Sequence, residues 1–314
     1  MKPLRIATRS SSLALWQANY VADQLRKVAG TDAALVPVST TGDRDQRESL
    51  AQFGGIGVFT REVQRAVLDG RADLAVHSLK DLPTEPCAGL TLAAVPTRAS
   101  RFDALVLPAG VRLPEDVAIA LAALPEQARL GTGSPRRQAQ LLRFRSDLQM
   151  LDVRGNVETR LKKLDDGLYD ALVLAEAGLD RLGLGDRVSA LLAPPVMLPA
   201  VGQGALGIEC RQDDEAALAA LSKLDDSTTR AAVAAERAAL ASLRAGCHAP
   251  LGVDTDLDGD RLQIEVAVFS ADGAQRFTAE ADGPRQDAEN IGRRAAELLL
   301  RRGADAVLRD PRKV

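Results

Sequence analysis

Residues 74–83 read LAVHSLKDLP, an apolar run followed by a polar segment that ends in proline. The apolar run predicts a buried strand, and the polar segment predicts a loop. A helix is expected just upstream, because Thr60 can cap a segment that runs through Leu68 and Gly70 can end it. Loops at the carboxyl ends of strands bind the ligands of open α/β sheets, so this loop is the first candidate for a functional site.

The same alternation of strand and helix starts at the amino terminus. Leu4 to Thr8 predicts a strand, Ser10 to Ser12 offer capping hydroxyls, and apolar residues then recur at helical spacing until Gly30. The segment from Asp103 to about Met197 repeats the pattern. Its predicted elements are strands at 104–107, from 129, at 148–153 and at 171–174, and helices that begin at Ser134-Pro135 and at Asn156. The sequence therefore predicts an α/β fold with two lobes around a cleft, each with helices on a largely parallel sheet.

The last third of the chain has a different composition. Residues 216–243 are rich in alanine and predict a helix, and a last helix is expected from about Gln286 to Arg302. Residues 262–269 and 276–281 predict an antiparallel hairpin that turns at Asp272-Gly273. We therefore expect a small α+β domain at the carboxyl terminus.

Residues 194–207 are rich in proline and glycine, which predicts a crossover that returns the chain to the first lobe. Gly202 to Gly207 has the glycine spacing of a dinucleotide fingerprint. However, prolines precede it instead of a strand, and a strand-like segment follows it instead of a helix. The predicted domains are a first lobe of residues 1–99 with 200–219, a second lobe of residues 103–197, and a C-terminal domain of residues 222–314.

The charge and composition exclude several classes of protein. The 314 residues hold 43 acidic and 40 basic side chains, so the formal net charge of −3 gives no overall attraction to nucleic acid or an anionic membrane. Aromatic residues make up 3%, which argues against a stacking platform for single-stranded nucleic acid. A hydrophobic fraction of 46% is typical of a packed chain and not of a disordered one.

The cysteines and the apolar stretches indicate the compartment. Three scattered cysteines without a Cys-x-x-Cys pair predict neither a disulfide scaffold nor a metal site. Residues 1–16 carry Lys2, Arg5 and Arg9 without a long apolar core, so we expect no secretory signal and a cytoplasmic protein. Residues 188–208 are uncharged, but their prolines and glycines predict loops and not a membrane span.

Arginines stand where the loops of the cleft are expected. Arg136 and Arg137 occupy the first turn of a predicted helix, where a positive charge opposes the helix dipole. They therefore need an anionic partner, and guanidinium groups bind carboxylates or phosphates through paired hydrogen bonds. This predicts a ligand with several anionic groups, although each arginine could also be a solvated surface residue. The other arginines of this pattern are Arg9, Arg154 and Arg160.

Two further residues could carry chemistry. Asp81 follows Lys80 in the candidate loop, where a carboxylate can stabilise a transient cation or move a proton; the alternative is a turn residue that bonds its own backbone. Cys247 lies in a glycine-flanked loop, where it could be an exposed nucleophile or an inert thiol. Neighbouring side chains in an extended loop point apart, so His248 is not expected to form a dyad with it. His77 is expected to be structural.

Five motifs, in order along the whole chain, resemble those of the porphobilinogen deaminase family, the hydroxymethylbilane synthases. They are Arg5–Ser10 with Leu13–Gln17, His77–Pro83, Arg154–Val157, Leu198–Ala205 and Ala245–Pro250. The resemblance implies two α/β lobes similar to type II periplasmic binding proteins and a small C-terminal α+β domain.

The resemblance also implies an activity and a cofactor. The family joins four porphobilinogen molecules head to tail with loss of ammonia and then releases hydroxymethylbilane by hydrolysis. The family assembles the linked pyrrole units on a dipyrromethane cofactor. A thioether links this cofactor to the cysteine that matches Cys247. The residue that matches Asp81 is the catalytic carboxylate, which would stabilise the cationic azafulvene left by deamination. A monomer with porphobilinogen as its small-molecule partner, and with no nucleic acid or membrane partner, is expected.

The matching residues have binding roles in the family. The residues that match cofactor contacts are Ser11, Lys80, Thr132, Ser134, Arg136, Arg137 and Arg160. The residues that match substrate contacts are Arg9, Arg154, Arg181 and Gln203. This fits the chemistry, because each pyrrole ring carries two carboxylates and the growing chain is a polyanion that needs arginines.

The sequence departs from the family pattern at several positions. Gly133 and Pro135 replace serine and leucine in the usual Gly-Thr-Ser-Ser-Leu-Arg-Arg, and the lost hydroxyl puts cofactor contacts at Gly133 in doubt. Ile56 stands where many members have lysine, Ser12 replaces a common proline, and Ala245 replaces a common glycine.

The alternative hypothesis is a two-lobed polyanion-binding protein without catalysis. It explains the predicted lobes and the arginines, but it does not explain Cys247 in its loop.

Overall fold

The computed structural model describes residues 2–39, 60–111, 116–244 and 249–308. The chain divides into two compact units. Unit 1 holds Met1–Ala99 and Gly204–Val233, and unit 2 holds Ser100–Gln203 and Ala234–Val314. Within the described ranges, every helix is too short or too polar to cross a membrane.

The secondary-structure elements follow one another in this order along the chain. The strands are β1 (Leu4–Thr8), β2 (Ala33–Pro37), β3 (Leu74–Ser78), β4 (Leu90–Ala94), β5 (Asp103–Val106), β6 (Arg129–Gly131), β7 (Gln149–Leu151), β8 (Ala171–Ala175), β9 (Ala190–Leu192), β10 (Leu206–Arg211), β11 (Leu251–Asp258), β12 (Arg261–Phe269) and β13 (Arg276–Pro284). The helices are α1 (Ser12–Gln24), α2 (Arg61–Leu68), α3 (Val117–Ala123), α4 (Pro135–Phe144), α5 (Val157–Asp165), α6 (Glu176–Arg181), α7 (Glu215–Leu221), α8 (Ser227–Ser242), α9 (Ala288–Arg301) and α10 (Asp305–Leu308).

Each unit contains a five-stranded sheet of the same plan. In unit 1 the order is β2-β1-β3-β10-β4, where β1 is parallel to β2 and β3, and β10 is antiparallel to both of its neighbours. In unit 2 the order is β7-β6-β8-β5-β9, and β5 takes the antiparallel position. The predicted return of the crossover to the first sheet is confirmed, because β10 pairs with β3 and β4.

The two sheets also repeat one ion pair. In unit 1 the guanidinium of Arg5, in β1, donates to both carboxylate oxygens of Asp73, at 2.8 and 3.1 Å. In unit 2, Arg129 at the start of β6 binds Asp170 in the same way, at 2.8 and 3.2 Å. Asp73 directly precedes β3, which pairs with β1, and Asp170 directly precedes β8, which pairs with β6. Each ion pair therefore joins the amino ends of two neighbouring parallel strands.

Alternating side chains of the strands bury both faces of the sheet in unit 1. Ile6 and Leu74 pack in one cluster with α1, whereas Ala7 and Ala75, one position later in each strand, pack in another cluster with α2. Successive strand residues point to opposite faces of the sheet. A sheet that helices cover on both sides therefore needs apolar residues at consecutive positions and not only at alternate ones. This explains why the strands appear in the sequence as short continuous apolar runs.

The C-terminal segment of unit 2 forms an antiparallel sheet in the order β11-β12-β13, with α9 packed against it. The predicted hairpin is confirmed: β12 pairs antiparallel with β13, and Gly273 in the turn between them has a φ of +72°. The sequence did not predict β11, which pairs with β12 along its whole length. Together with the two five-stranded sheets, this confirms the expected α/β fold with a small C-terminal α+β portion.

Residues 216–243 form two helices, so the prediction of one continuous helix was wrong. Asp226 caps α8 by accepting a hydrogen bond from the amide of Thr229 at 2.7 Å. Its neighbour Asp225 accepts a hydrogen bond from the amide of Val95 at 2.8 Å, just beyond β4. Asp226 therefore starts α8, and Asp225 attaches the segment between the two helices to the first sheet.

The predicted capping residues occupy the expected positions. The Ser11 hydroxyl accepts a hydrogen bond from the amide of Ala14 at 3.4 Å, and the Asn156 side chain accepts one from the amide of Thr159 at 2.9 Å. Thr60 precedes α2 as expected, but among the described residues its hydroxyl has no hydrogen-bond partner. The prediction of the start of α2 is therefore confirmed, while the side-chain cap is absent.

Candidate functional site

Asp81 lies at the end of a single 3₁₀ turn, Leu79–Asp81, which directly follows β3. The Leu79 side chain is buried against Ala205, and its amide donates to the carbonyl of Ala205 at 3.0 Å. A Cβ at Gly207 would lie 2.7 Å from Cδ1 of Leu79, so a larger residue there would have to displace the Leu79 side chain. The Asp81 side chain itself is exposed. The loop is thus held on the start of β10 while its carboxylate faces solvent.

A pocket of about 80 Å³ lies beside Asp81 in unit 1. Its polar lining includes Arg9, Ser11, Thr60, His77, Ser78 and Asp81. Gln17 of α1 also lines it, and its side-chain amide donates to the Ser78 hydroxyl at 2.8 Å. The structure therefore brings the predicted residues Arg9, Ser11 and Asp81 around one pocket, with Lys80 in the adjoining turn.

His77 belongs to a buried polar group at the base of this pocket. Its Nε2 lies 3.0 Å from Oε2 of Glu209 in β10. Gln64 of α2 donates to both oxygens of the same carboxylate, at 2.9 and 3.2 Å. All three residues are buried. The imidazole thus lies against the Glu209 carboxylate, which in turn connects β10 with α2 through Gln64, in line with the structural role expected for His77.

Thr132 and Ser134 shape the loop that leads into α4. Thr132 is fully buried, its hydroxyl accepts a hydrogen bond from the amide of Ser134 at 3.3 Å, and its carbonyl accepts one from the side chain of Gln138 at 3.0 Å. Ser134 is the N-cap residue of α4. This start places Arg136 and Arg137 in the first turn of the helix, as predicted.

Both of these arginines bind Asp103, the first residue of β5. Nη1 of Arg136 donates to Oδ2 of Asp103 at 2.8 Å, and Nε and Nη2 of Arg137 lie 2.9 and 2.7 Å from Oδ1. Gln203 donates to the same Oδ1 at 3.0 Å. Asp103 is fully buried, and neither arginine is more than 7% exposed. The sequence pattern predicts a ligand as their anionic partner, but in the structure the chain itself supplies one partner, Asp103.

The charges of this cluster do not balance. Among the described residues, two guanidinium groups face the single carboxylate of Asp103, which leaves an excess positive charge in a buried place. Burial lowers the pKa of Arg137, and the charge of Arg136 lowers it further, while Asp103 opposes both effects. Nε of Arg136 is buried and has no hydrogen-bond partner among the described residues. Buried donors are normally satisfied, so the cluster is suited to a further anionic group.

Arg154 is held by a neighbouring carboxylate at the end of β7. Its Nε donates to Oδ2 of Asp152 at 2.8 Å, and both side chains are partly exposed. A Cβ at Gly133 would lie 2.8 Å from Oδ1 of Asp152. The departure from the family pattern at Gly133 therefore leaves room for the Asp152 carboxylate. Nearby, Nε of Arg160 donates to the carbonyl of Gly155 at 2.8 Å.

The predicted site residues fall into both units. Unit 1 holds Arg9, Ser11, Lys80 and Asp81. Unit 2 holds Thr132, Ser134, Arg136, Arg137, Arg154, Arg160, Arg181 and Gln203. Within unit 2 the structure brings Arg136, Arg137 and Gln203 together on Asp103, while Arg154 and Arg160 lie around the loop before α5 and Arg181 ends α6.

Cys247, the predicted attachment residue, lies outside the described residues, as do His248, Ala245 and Ile56. Burial raises the pKa of the Cys210 thiol to about 11, and burial also raises the pKa of Cys87. Both thiols are therefore protonated at neutral pH and poorly suited to nucleophilic attachment. In the part of the chain that the structure describes, no group of three or more His, Cys, Asp or Glu residues could hold a metal ion.

Sequence reasoning missed Asp103 and Asp152, the carboxylates that hold the arginines. Asp103 opens an otherwise apolar strand, Asp-Ala-Leu-Val, and a charged residue at a buried strand position requires a buried partner. That signal was present in the sequence. Asp152 stands two residues before Arg154, a spacing that many unrelated surface pairs share, so it offered no comparable signal.

Comparison with solved structures finds an ancestral cationic amino acid solute binding protein that covers 71% of this chain and 87% of its own length, with a TM-score of 0.41 and 13% identity.

Comparison with known sequences extends over nearly the whole chain. Residues 4–219 match the family model described as porphobilinogen deaminase, dipyromethane cofactor binding domain, and residues 230–301 match porphobilinogen deaminase, C-terminal domain. The chain is 48% identical over 309 residues to the porphobilinogen deaminase of Stenotrophomonas maltophilia strain K279a, which is 98% of this chain and 99% of that protein. It is 45% identical over 306 residues to the porphobilinogen deaminase of Syntrophotalea carbinolica, which is 97% of this chain and 95% of that protein. The chain therefore belongs to the porphobilinogen deaminase family.

Proposed function

We propose that this chain joins four porphobilinogen molecules head to tail with loss of ammonia, on a dipyrromethane cofactor carried by Cys247, and then releases hydroxymethylbilane by hydrolysis. The reaction and the cofactor follow from the family, whose cofactor binding domain matches residues 4–219. When bound, the cofactor supplies the pyrrole ring to which the first porphobilinogen is joined.

The excess charge around Asp103 is the observation that supports the cofactor assignment most strongly. Arg136 and Arg137 together outweigh the one carboxylate, and Nε of Arg136 is a buried donor without a partner among the described residues. A carboxylate of the cofactor would balance the charge and accept that hydrogen bond. The remaining cofactor contacts that we propose are Ser11, Lys80, Thr132, Ser134 and Arg160.

Asp81 is the proposed catalytic carboxylate. Its exposed side chain stands at the mouth of the pocket in unit 1, on a turn that the Leu79 amide fixes to the carbonyl of Ala205. A carboxylate held in this way can accept a hydrogen bond from a pyrrole N–H and stabilise the positive charge that develops as the amino group leaves. The fixed turn matters because the side chain is short and cannot compensate for a displaced backbone.

The proposed substrate contacts are arginines that lie outside the buried cluster. Arg9 lines the pocket beside Asp81, and Arg154 is partly exposed next to Asp152. Arg181, at the end of α6, completes the arginines of this set. Gln203 differs, because it is buried and its side-chain amide donates to Asp103 and to the carbonyl of Arg101. Its contact with substrate stays a prediction, and its support of Asp103 is an additional role.

The organisation of the chain completes the proposal. We propose a first lobe of residues 1–99 with 200–219, a second lobe of residues 103–197 and a C-terminal domain of residues 222–314. A monomer that acts in the cytoplasm, with no nucleic acid or membrane partner, accords with the near-neutral charge of −3.

The direct test is the stoichiometry of turnover. Purified protein is incubated with porphobilinogen, and ammonia and hydroxymethylbilane are both measured over time. The proposal requires about four ammonia molecules for each hydroxymethylbilane, because each of the four porphobilinogen molecules loses one amino group. Binding of porphobilinogen without release of ammonia would instead identify a polyanion-binding protein without catalysis.

A further inference from the structure

The turn that joins β12 to β13 rests directly on the backbone of α4. A Cβ placed on Gly273 would meet the carbonyl oxygen of Ala139 and would lie 2.7 Å from the amide nitrogen of Arg143. Gly273 also has a φ of +72°, a conformation that other residues rarely adopt. Only glycine therefore allows this turn to approach the helix so closely.

The turn is itself well ordered by hydrogen bonds. The amide of Gly273 donates to the carbonyl of Ser270 at 2.9 Å, and the Asp272 carboxylate accepts hydrogen bonds from the Ser270 hydroxyl and from the amide of Ala274. Arg143 of α4 reaches back, with Nη1 3.5 Å from the carbonyl of Gly273. A small, fixed surface of the C-terminal sheet thus packs on the helix.

A second contact connects the same sheet with Arg136. The carbonyl of Leu198 accepts hydrogen bonds from Nη1 of Arg136 at 2.7 Å and from the side chain of Gln140 at 3.1 Å. A Cβ at Gly252 of β11 would lie 2.6 Å from Cβ of Leu198. The segment that holds Arg136 is therefore itself packed against the edge of the C-terminal sheet.

These contacts lie one helical turn from the arginines. Ala139 is three residues after Arg136, so it lies on the same side of α4 and about one turn further along. Ala139 and Leu198 share one buried cluster with Ala267 and Phe269 of β12. Close-packed protein interiors have few voids and transmit strain. A displacement of the middle of α4 is therefore expected to move its first turn as well.

We propose that the Asp272–Gly273 turn is a positioning element for cofactor binding: it sets the position of α4 so that Arg136 and Arg137 reach both Asp103 and the anionic cofactor. The C-terminal domain would then have two separate tasks, because it also carries Cys247. This inference rests on the proposed function, in which the two arginines bind the cofactor.

The test compares two glycines of the same sheet. Gly259, in the turn between β11 and β12, has a φ of +56°, and a Cβ there would meet no atom within 4 Å. Gly273→Ala and Gly259→Ala therefore introduce a similar backbone strain, but only the first disturbs α4. Intact mass measures the fraction of purified protein that carries the cofactor, and thermal unfolding measures stability.

We expect the Gly259→Ala protein to carry the cofactor in the same fraction of molecules as the wild type. We expect Gly273→Ala to be mostly cofactor-free and to lose about tenfold or more in kcat/KM, because small displacements of positioning groups carry costs of this size. Equal loading and activity of the two variants would contradict the inference. A wild-type protein without any adduct would instead contradict the proposed function on which the inference rests.

A second pair of variants covers the case in which Gly273→Ala does not fold. Asp272→Ala removes the acceptor that orders the turn without adding any atom near α4, whereas Asp272→Asn keeps an acceptor oxygen. We expect reduced loading in Asp272→Ala and restored loading in Asp272→Asn at similar melting temperatures. Full loading of Asp272→Ala would show that the turn does not position the arginines.

Discussion

Oδ1 of Asp103 lies 2.9 Å from Nε and 2.7 Å from Nη2 of Arg137, and the whole ion pair is buried. Removal of the carboxylate charge would leave the guanidinium groups of Arg137 and Arg136 facing each other without compensation. We predict that Asp103→Asn lowers the free energy of unfolding by about 3–5 kcal/mol, as is typical when one partner of a buried ion pair is removed. Urea unfolding at neutral pH measures this change.

The matched control is Asp152→Asn, which also changes an aspartate that binds an arginine. The side chains of Asp152 and Arg154 are 51% and 35% exposed, so water screens their interaction. We expect a change of about 0–1 kcal/mol for this variant. Equal effects of the two substitutions would show that the charge balance around Asp103 does not govern stability.

The catalytic role of Asp81 predicts a loss of turnover without a loss of fold. Asp81→Asn keeps the size of the side chain and removes its charge, so the developing cation would lose its stabilising partner. We predict that kcat falls by roughly 10²-fold or more. Circular dichroism should match the wild type, because the side chain is exposed. Glu85→Gln, a charge change four residues further along the chain, is the control and should stay fully active. Activity of Asp81→Asn within a few-fold of the wild type would make Asp81 a structural turn residue.

The proposed roles divide the arginines into those that bind the cofactor and those that bind substrate. Substitutions in the two groups should therefore impair different steps of the reaction. We predict that Arg137→Leu yields mostly cofactor-free protein, because truncation of an arginine that binds a buried carboxylate typically costs ~2–5 kcal/mol. We predict that Arg154→Leu keeps the cofactor but accumulates partly elongated chains. Native mass spectra after addition of porphobilinogen would show these chains as a ladder with one pyrrole unit per step. A cofactor-free Arg154→Leu protein, or one with normal intermediates and normal turnover, would refute this division.

The ion pair between Arg5 and Asp73 predicts how stability depends on pH. Burial alone would raise the pKa of Asp73, but hydrogen bonds from Arg5 and its charge lower it below the ordinary value of 3.8. A carboxyl group with a lowered native pKa stabilises the fold above its unfolded pKa and loses that contribution as the pH falls through the native value. The stability difference between wild type and Asp73→Asn should therefore be largest near neutral pH and shrink below about pH 4. A difference that stays constant in acid would show that the ion pair is not the source.

The sequence predicted the repeated strand and helix units because their signals are local. Apolar runs, capping hydroxyls and glycine stops lie within a few residues of one another, as in the segment from Leu4 to Gly30. The strand β9 was not predicted, since it has only three residues and pairs with β5, which is distant in sequence. The strand β11 was also missed, although it pairs with β12, the next strand along the chain. The break between α7 and α8 was also missed, because its cause includes the contact of Asp225 with Val95, a residue 130 positions away.

The candidate site shows the same division between local and distant causes. The positions of Asp81 after β3 and of Arg136 and Arg137 at the start of α4 could be predicted, because each depends on the boundary of one element. Asp103 stands out in the sequence as a charge in an apolar strand, but its pairing with these arginines does not, since it is more than 30 residues away from them. The contact that a side chain at Gly133 would make likewise depends on Asp152, which directly follows the neighbouring strand β7.

The central claim is that the chain works on a covalent pyrrole cofactor at Cys247, and the intact mass of the purified protein tests it most directly. We predict a mass above that of the 314-residue sequence by two linked pyrrole units, with peptide mapping that places the addition on Cys247. Cys247→Ser should abolish both the addition and the activity, whereas Cys87→Ser and Cys210→Ser should keep both. A protein of unmodified mass that still turns over porphobilinogen, or an addition on Cys87 or Cys210, would contradict the claim.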